Sequence, residues 1–180
     1  MLDQPNATRW YHAMGNTYGT WLRGDPRGWR ARHHREHVEG DYRNPPPPGA
    51  YDEMARRSRE LMKRDAVLLP SELREQVGRI LVDRLIELEV QLIALSLGQR
   101  HFHLLGKFPN DNVRHWVGLA KKEASLRMSA QGLTGGLWAK KCKVEPIRDR
   151  AHQVNAFHYI ERHANSGAWV WTFRHGRPWK

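Results

Sequence analysis

The sequence predicts an α+β fold, an antiparallel sheet with helices packed on it. Three observations lead there. Short runs that favour strands are separated by segments whose apolar positions recur at helical spacing. Two neighbouring apolar runs flank the tight turn Gly98-Gln99-Arg100. The resulting order is β, α, β, β, α, β, α, β, which suits a layered sheet with helices. At 180 residues the chain has room for one domain and little beyond it. Residues 1–180 are therefore read as a single domain, interrupted by a polar excursion at about 24–50.

The elements follow in order. Arg9 to Leu22 is rich in Trp, Tyr and Thr, as a strand prefers. Gly24 to Gly49 holds Arg-Ala-Arg-His-His-Arg-Glu-His (Arg30 to His37) and ends in Pro45 to Pro48. Its scarcity of aliphatic residues leaves it unable to bury a core, and the prolines stiffen its exit. Tyr51 to Arg64 reads as a short helix. From Pro70, which suits a first helical turn, Leu73, Val77, Ile80, Leu81, Leu85 and Leu88 mark a strong helix. Val90 to Leu97 and His101 to Phe108 form the hairpin. Pro109-Asn110-Asp111 ends the second strand and starts a helix over 112–130, with Val113, Trp116, Val117, Ala120 and Ala124 on its apolar side. Leu137 to Val144 reads as a strand or irregular ribbon. A last helix runs over 148–165, and Ala168 to Phe173 forms a half-buried strand.

Composition narrows the function classes. Thirty Lys and Arg against nineteen Asp and Glu leave a net charge of +11, without counting eleven histidines. A pI near 10.3 points to a polyanionic partner. No stretch approaches eighteen uncharged apolar residues, so no membrane span is expected. The opening Met-Leu-Asp-Gln-Pro-Asn has neither the basic nor the apolar region of a secretory signal. A single cysteine, Cys142, rules out an intramolecular disulfide and a cysteine zinc cluster, and it reads as a buried small residue. A cytoplasmic, reducing location is expected. No Gly-rich phosphate loop is present.

The sharpest local feature is His101-Phe102-His103 on an expected strand. Alternate residues of a strand share a face, so the two imidazoles point the same way and offer half a metal site. The plain alternative is two surface histidines among eleven. On the last helix Tyr159 and His163 are four apart and stack on one face, with His152 and Asn155 or Ala156. Val154, Phe157, Ile160 and Ala164 make the stripe expected to dock on the sheet. Tyr159 thus escapes the core register. His33 and His37 are also four apart, and a loop contacting DNA is favoured there over a second metal site.

The sequence resembles the HUH endonuclease superfamily, whose motif is two histidines around one hydrophobic residue. More narrowly, it is similar to the single-tyrosine transposases of insertion sequences and their REP-associated relatives. Besides His101-Phe102-His103, the likeness lies in the opening segment from Thr17 to Trp29, in Gly136 to Cys142, and in Phe157-His158-Tyr159-Ile160-Glu161-Arg162-His163. It spans residues 9–171. Two departures stand out: Arg100 precedes the motif where the family often has Asn or Asp, and His163 stands where the family commonly has glutamine.

The resemblance implies a ferredoxin-like, RRM-like HUH fold and a bacterial DNA transposase or a domesticated relative. It implies that His101, His103 and His163 hold Mg²⁺ or Mn²⁺, and that Tyr159 is the nucleophile. A phosphotyrosine left at a 5′ end would keep the bond energy for joining a second strand without ATP. Lys121, Lys122, Arg127, Lys140, Lys141 and Lys143 would track a single-stranded or hairpin DNA backbone. Trp138 and Trp179 are the tryptophans expected to stack on unpaired bases. Family members include dimers that exchange the tyrosine helix as well as monomers, so a homodimer is one allowed assembly. Two rival readings are a non-catalytic, basic nucleic-acid-binding module on the same fold and a histidine-metal hydrolase of small phosphate compounds.

Overall fold

A computed structural model of the chain describes residues 9–26, 29–30, 37–38, 47–133 and 135–175. In chain order its elements are β1 (Arg9–Thr17), β2 (Trp29–Arg30), β3 (His37–Val38), α1 (Asp52–Glu60), α2 (Ser71–Glu87), β4 (Gln91–Leu97), β5 (His101–Phe108), α3 (Val113–Ser129), β6 (Trp138–Pro146), α4 (Arg150–Arg162) and β7 (Trp169–Thr172). Short 3₁₀ turns cover His163–Ser166 and Phe173–His175. Two compact units divide the chain: Met1–Thr17 with Leu68–Lys180, and Tyr18–Val67.

The first unit is an α+β sandwich. Its sheet runs β6-β1-β5-β4-β7, and every neighbouring pair is antiparallel. The histidine strand β5 is therefore central, and side-chain alternation divides its residues between two packed layers. Phe102 and Leu104 face α2 and α3; His101, His103 and Leu105 face α4. On the α2–α3 side Phe102 is 1% exposed and meets the Trp138 ring edge-on, with centroids 5.4 Å apart. Burying such a ring contributes about 1.5–3 kcal/mol. A Cβ on Gly78 would collide with the Trp169 ring, so glycine there lets α2 lie flat on β7. On the opposite side Ala94 and Leu105 of the sheet pack against Ala156, Phe157 and Ile160 of α4.

Several expected boundaries move for local reasons. The first strand ends at Thr17 because its N–H and hydroxyl both donate to the Arg100 carbonyl, at 2.8 and 3.1 Å, and Gly19 then turns with φ +74. The segment expected over 137–144 settles as the strand β6, Trp138–Pro146, by pairing with β1. The Asp149 side chain accepts from the His152 N–H at 2.7 Å and starts α4 two residues later than expected. The α4 stripe also shifts: Gln153, Ala156, Phe157 and Ile160 are buried, whereas Val154 and Ala164 are exposed. Ala164 leaves the register because the α-helix has tightened to 3₁₀ by then.

In the second unit α1 follows a loop, and β2 and β3 form a two-residue ladder not expected from the sequence. Trp29 is buried and packs edge-on against Tyr51 with centroids 5.6 Å apart, while the Arg23 guanidinium lies 5.1 Å from its ring. Part of the polar excursion thus has an aromatic anchor. His33 and Pro45–Pro46 lie outside the described residues.

Candidate active site

Alternation on β5 puts His101 and His103 on the face that α4 covers, and the helix brings the third imidazole down to them. One ligand nitrogen from each of His101, His103 and His163 lies within 4.8 Å of the others. Ring centroids are 5.0 Å apart for His101 and His103, 5.6 Å for His101 and His163, and 4.6 Å for His103 and His163. Among the described residues this is the group of His, Cys, Asp and Glu with metal-binding spacing.

The hydrogen bonds favour ligation. His163 Nδ1 donates to the Tyr159 carbonyl at 2.9 Å, which leaves the Nε2 lone pair available. His103 Nδ1 is 3.1 Å from His12 Nε2, so Nε2 is the nitrogen His103 can offer a cation. Burial drives His103 from an ordinary pKa of 6.5 to about 2, with His101, His163, His12 and Lys143 adding to the effect. It is a neutral imidazole at physiological pH, the form a metal needs. Ser96, cross-strand from His103, is 1% exposed and its hydroxyl has no hydrogen-bond partner among the described residues. A bound water or ligand there would relieve that cost. The donor set and its hydrogen bonds fit a divalent cation.

Tyr159 sits beside this trio and is partly exposed. Its side chain is 43% exposed, with its ring centroid 4.7 Å from His163, 5.2 Å from His103 and 6.0 Å from His12. Next to it is a cleft of about 340 Å³, between β1, β6 and α4. Its polar lining includes His12, His103, Lys143, Glu145, His152 and Asn155. Lys143 and Glu145 are 3.6 Å apart, and Glu145 lies 3.9 Å from His152. The cleft joins an exposed phenol, the neutral imidazoles of His12 and His103 and the Lys143 ammonium, a set able to engage a phosphodiester.

The other expected residues divide. Lys122, Lys140, Lys141 and Lys143 are exposed. Arg127 is exposed too, though it is ion-paired to Glu123 at 2.7 Å. Lys121 departs from expectation: it is 6% exposed and its ammonium donates to the Ala139 carbonyl at 2.6 Å. β6 packs across α3 at that point and covers it, so this charge cannot follow a DNA backbone. Trp138 is likewise a core residue, 8% exposed against Phe102, and cannot stack on a base. Trp179 lies outside the described residues. Cys142 is buried, and burial pushes its thiol pKa up, away from a nucleophile.

His12 is the site residue that sequence reasoning missed. It is 8% exposed, and burial lowers its pKa from 6.5 to about 4, against an upward pull from Glu145. The available signal was alternation on the first strand, where His12, Met14 and Asn16 share a face.

No family model matches the chain, and no curated protein matches it. Among solved structures, one described as a REP-associated tyrosine transposase bound to a REP hairpin is similar, with a TM-score of 0.49 and 12% identity over 92% of this chain and 73% of that one. At that identity the likeness is one of fold at most.

Proposed function

We propose that the chain is a metal-dependent, single-tyrosine endonuclease and strand transferase for single-stranded or hairpin DNA, a transposase or a domesticated relative. The observation that carries this reading is the exposed Tyr159 ring packed 4.7 and 5.2 Å from two members of a three-imidazole cluster. A module that only binds nucleic acid has no need of that combination. The motifs around His101-Phe102-His103 and Tyr159 add the resemblance described above.

In the proposed reaction the Tyr159 phenol oxygen bonds to phosphorus and the P–O3′ bond breaks. The proton lost by the phenol is balanced by one taken up at the leaving 3′ oxygen. The 5′ end stays on the tyrosine, and a second 3′-hydroxyl can reverse the step, with no external energy source. A divalent cation held by His101, His103 and His163 would polarise the scissile phosphate and stabilise charge on the leaving oxygen. An all-nitrogen protein set suits Mn²⁺ better than Mg²⁺, which prefers oxygen ligands in strict octahedral array. Lys143 lines the cleft and attracts the phosphate, while Lys122, Lys140 and Lys141 extend the positive surface. No helix among the described residues is long and apolar enough to cross a membrane, and the proposed site of action is cytoplasmic DNA.

Incubation with end-labelled hairpin DNA and Mn²⁺ tests the reading. A covalent protein–DNA band that survives denaturation is expected, with a free 3′-hydroxyl on the released strand. Tyr159→Phe should lose the band and still bind the DNA. Salt-sensitive binding with no adduct under any divalent metal would leave the non-catalytic binding module. Turnover of a small phosphate ester without an adduct would favour the hydrolase.

A further inference from the structure

His12 stands on β1 and is 8% exposed. A buried polar group is costly unless a partner satisfies it, and an aliphatic side chain would fill a strand position more cheaply. Its Nε2 lies 3.1 Å from His103 Nδ1. The contact is diagonal across the β1–β5 ladder, in which Met14 faces His103 and His12 faces Leu105. A slip of one residue would turn His12 to the other side of the sheet.

One hydrogen lies between the two nitrogens, so one ring donates and the other accepts. If His12 donated, a neutral His103 would carry its own hydrogen on Nε2. That nitrogen would then have no lone pair for a cation shared with His101 and His163. If His103 donates, its Nε2 is free to ligate. His163 shows the same division of labour, with Nδ1 spent on the Tyr159 carbonyl.

We propose that His12 is a positioning residue: its Nε2 accepts the Nδ1 hydrogen of His103 and so fixes the tautomer and ring orientation in which His103 Nε2 can hold a divalent cation. The assignment rests on the metal reading above. Outer partners of this kind set ligand orientation and basicity, and their loss typically weakens metal binding by about 10–100-fold. His12 also borders the cleft with Tyr159, its ring centroid 6.0 Å from the phenol ring. One side chain thus lies against both the proposed ligand and the proposed nucleophile.

Two measurements test it. Long-range ¹H–¹⁵N NMR of the imidazoles in metal-free protein locates the His103 hydrogen, and calorimetric titration with Mn²⁺ gives the affinity. The parent should show His103 protonated on Nδ1. His12→Leu, which fills space without an acceptor, should mix the tautomers and weaken Mn²⁺ binding by about 10–100-fold. His12→Gln, whose amide oxygen can accept, should recover most of both. A purely structural role would not single out the variant that keeps an acceptor. His103 protonated on Nε2 in the parent overturns the proposal, as does a folded His12→Leu protein that binds Mn²⁺ as tightly as the parent. The parent tautomer needs no variant, so misfolding of His12→Leu leaves the test intact. If the parent binds no Mn²⁺, the metal reading falls instead, and the His103 tautomer alone decides what His12 does.

Discussion

His163 Nδ1 donates to the main-chain carbonyl of Tyr159, one helical turn earlier and 2.9 Å away. The bond ties the orientation of a proposed ligand to the backbone of the proposed nucleophile. Any change at 163 should therefore be read through both. Glutamine can donate from its amide nitrogen and ligate through its oxygen; alanine can do neither. His163→Gln should keep Mn²⁺-dependent adduct formation, whereas His163→Ala should lower it by at least about tenfold, in line with lost ligand support at metal sites. Equal activity in the two variants, read as adduct per minute at saturating DNA, would remove His163 from the site.

The buried histidines make metal-free stability depend on pH. His103 and His12 have pKa values lowered from 6.5 to about 2 and about 4, burial being the largest cause for each. Their unfolded forms take up protons below pH 6.5 while the folded forms do not. Stability is thus fully present above that value and falls as pH drops, from 6.5 to about 4 for His12 and on towards 2 for His103. Each contributes a slope of about 1.4 kcal/mol per pH unit in its window. Urea melts with chelator between pH 7 and 4.5 should show the loss, and His12→Gln should flatten it. Parallel curves for parent and variant would contradict the burial account.

Two lysines on opposite sides of the sheet should behave oppositely. Lys121 spends its charge on the Ala139 carbonyl inside the fold, and burial lowers its pKa. Lys121→Ala should cost about 1–3 kcal/mol of stability through the orphaned carbonyl and lost packing. Lys143 is exposed in the cleft. Lys143→Ala should leave the melting temperature nearly unchanged and lower the salt slope of single-strand binding by about 0.7. A Lys121 variant that melts like the parent but binds DNA with a reduced slope would reverse the assignment.

What the sequence made legible was whatever depends on local period. The turn at 98–100 delimits β5, and a period of two then puts His101 and His103 on one face. A spacing of four puts Tyr159 over His163. What it hid depends on how distant elements meet. His12 reaches His103 only through a register spanning 91 residues, and Lys121 is buried only because β6 crosses α3. Trp138, in a lysine-rich stretch, is drawn inward by the ring of Phe102 from another strand. The α4 stripe falls out of phase with the apolar pattern because Gln153, a polar residue, is held inside and accepts from Arg150 at 2.6 Å.

The back of the histidine strand offers a last test. A Cβ added to Gly15 would sit 2.6 Å from Phe102 Cε1 and 2.8 Å from Cζ, too close for any real contact. Phe102 cannot retreat easily, since it is 1% exposed and bounded by Trp138. Gly15→Ala should therefore cost about 1–3 kcal/mol by overpacking. Phe102→Leu shortens the ring and should cost stability through the space it leaves, in the manner of other large-to-small core changes. The two changes should compensate, because the added methyl occupies part of the vacated volume. A double-mutant cycle should give a favourable coupling of about 0.5–3 kcal/mol, measured by urea denaturation. Strict additivity would mean that the ring and the glycine do not share a packing site. Because Phe102 lies between the two histidines on β5, Gly15→Ala should also weaken Mn²⁺ binding, and Phe102→Leu in the same chain should restore part of it.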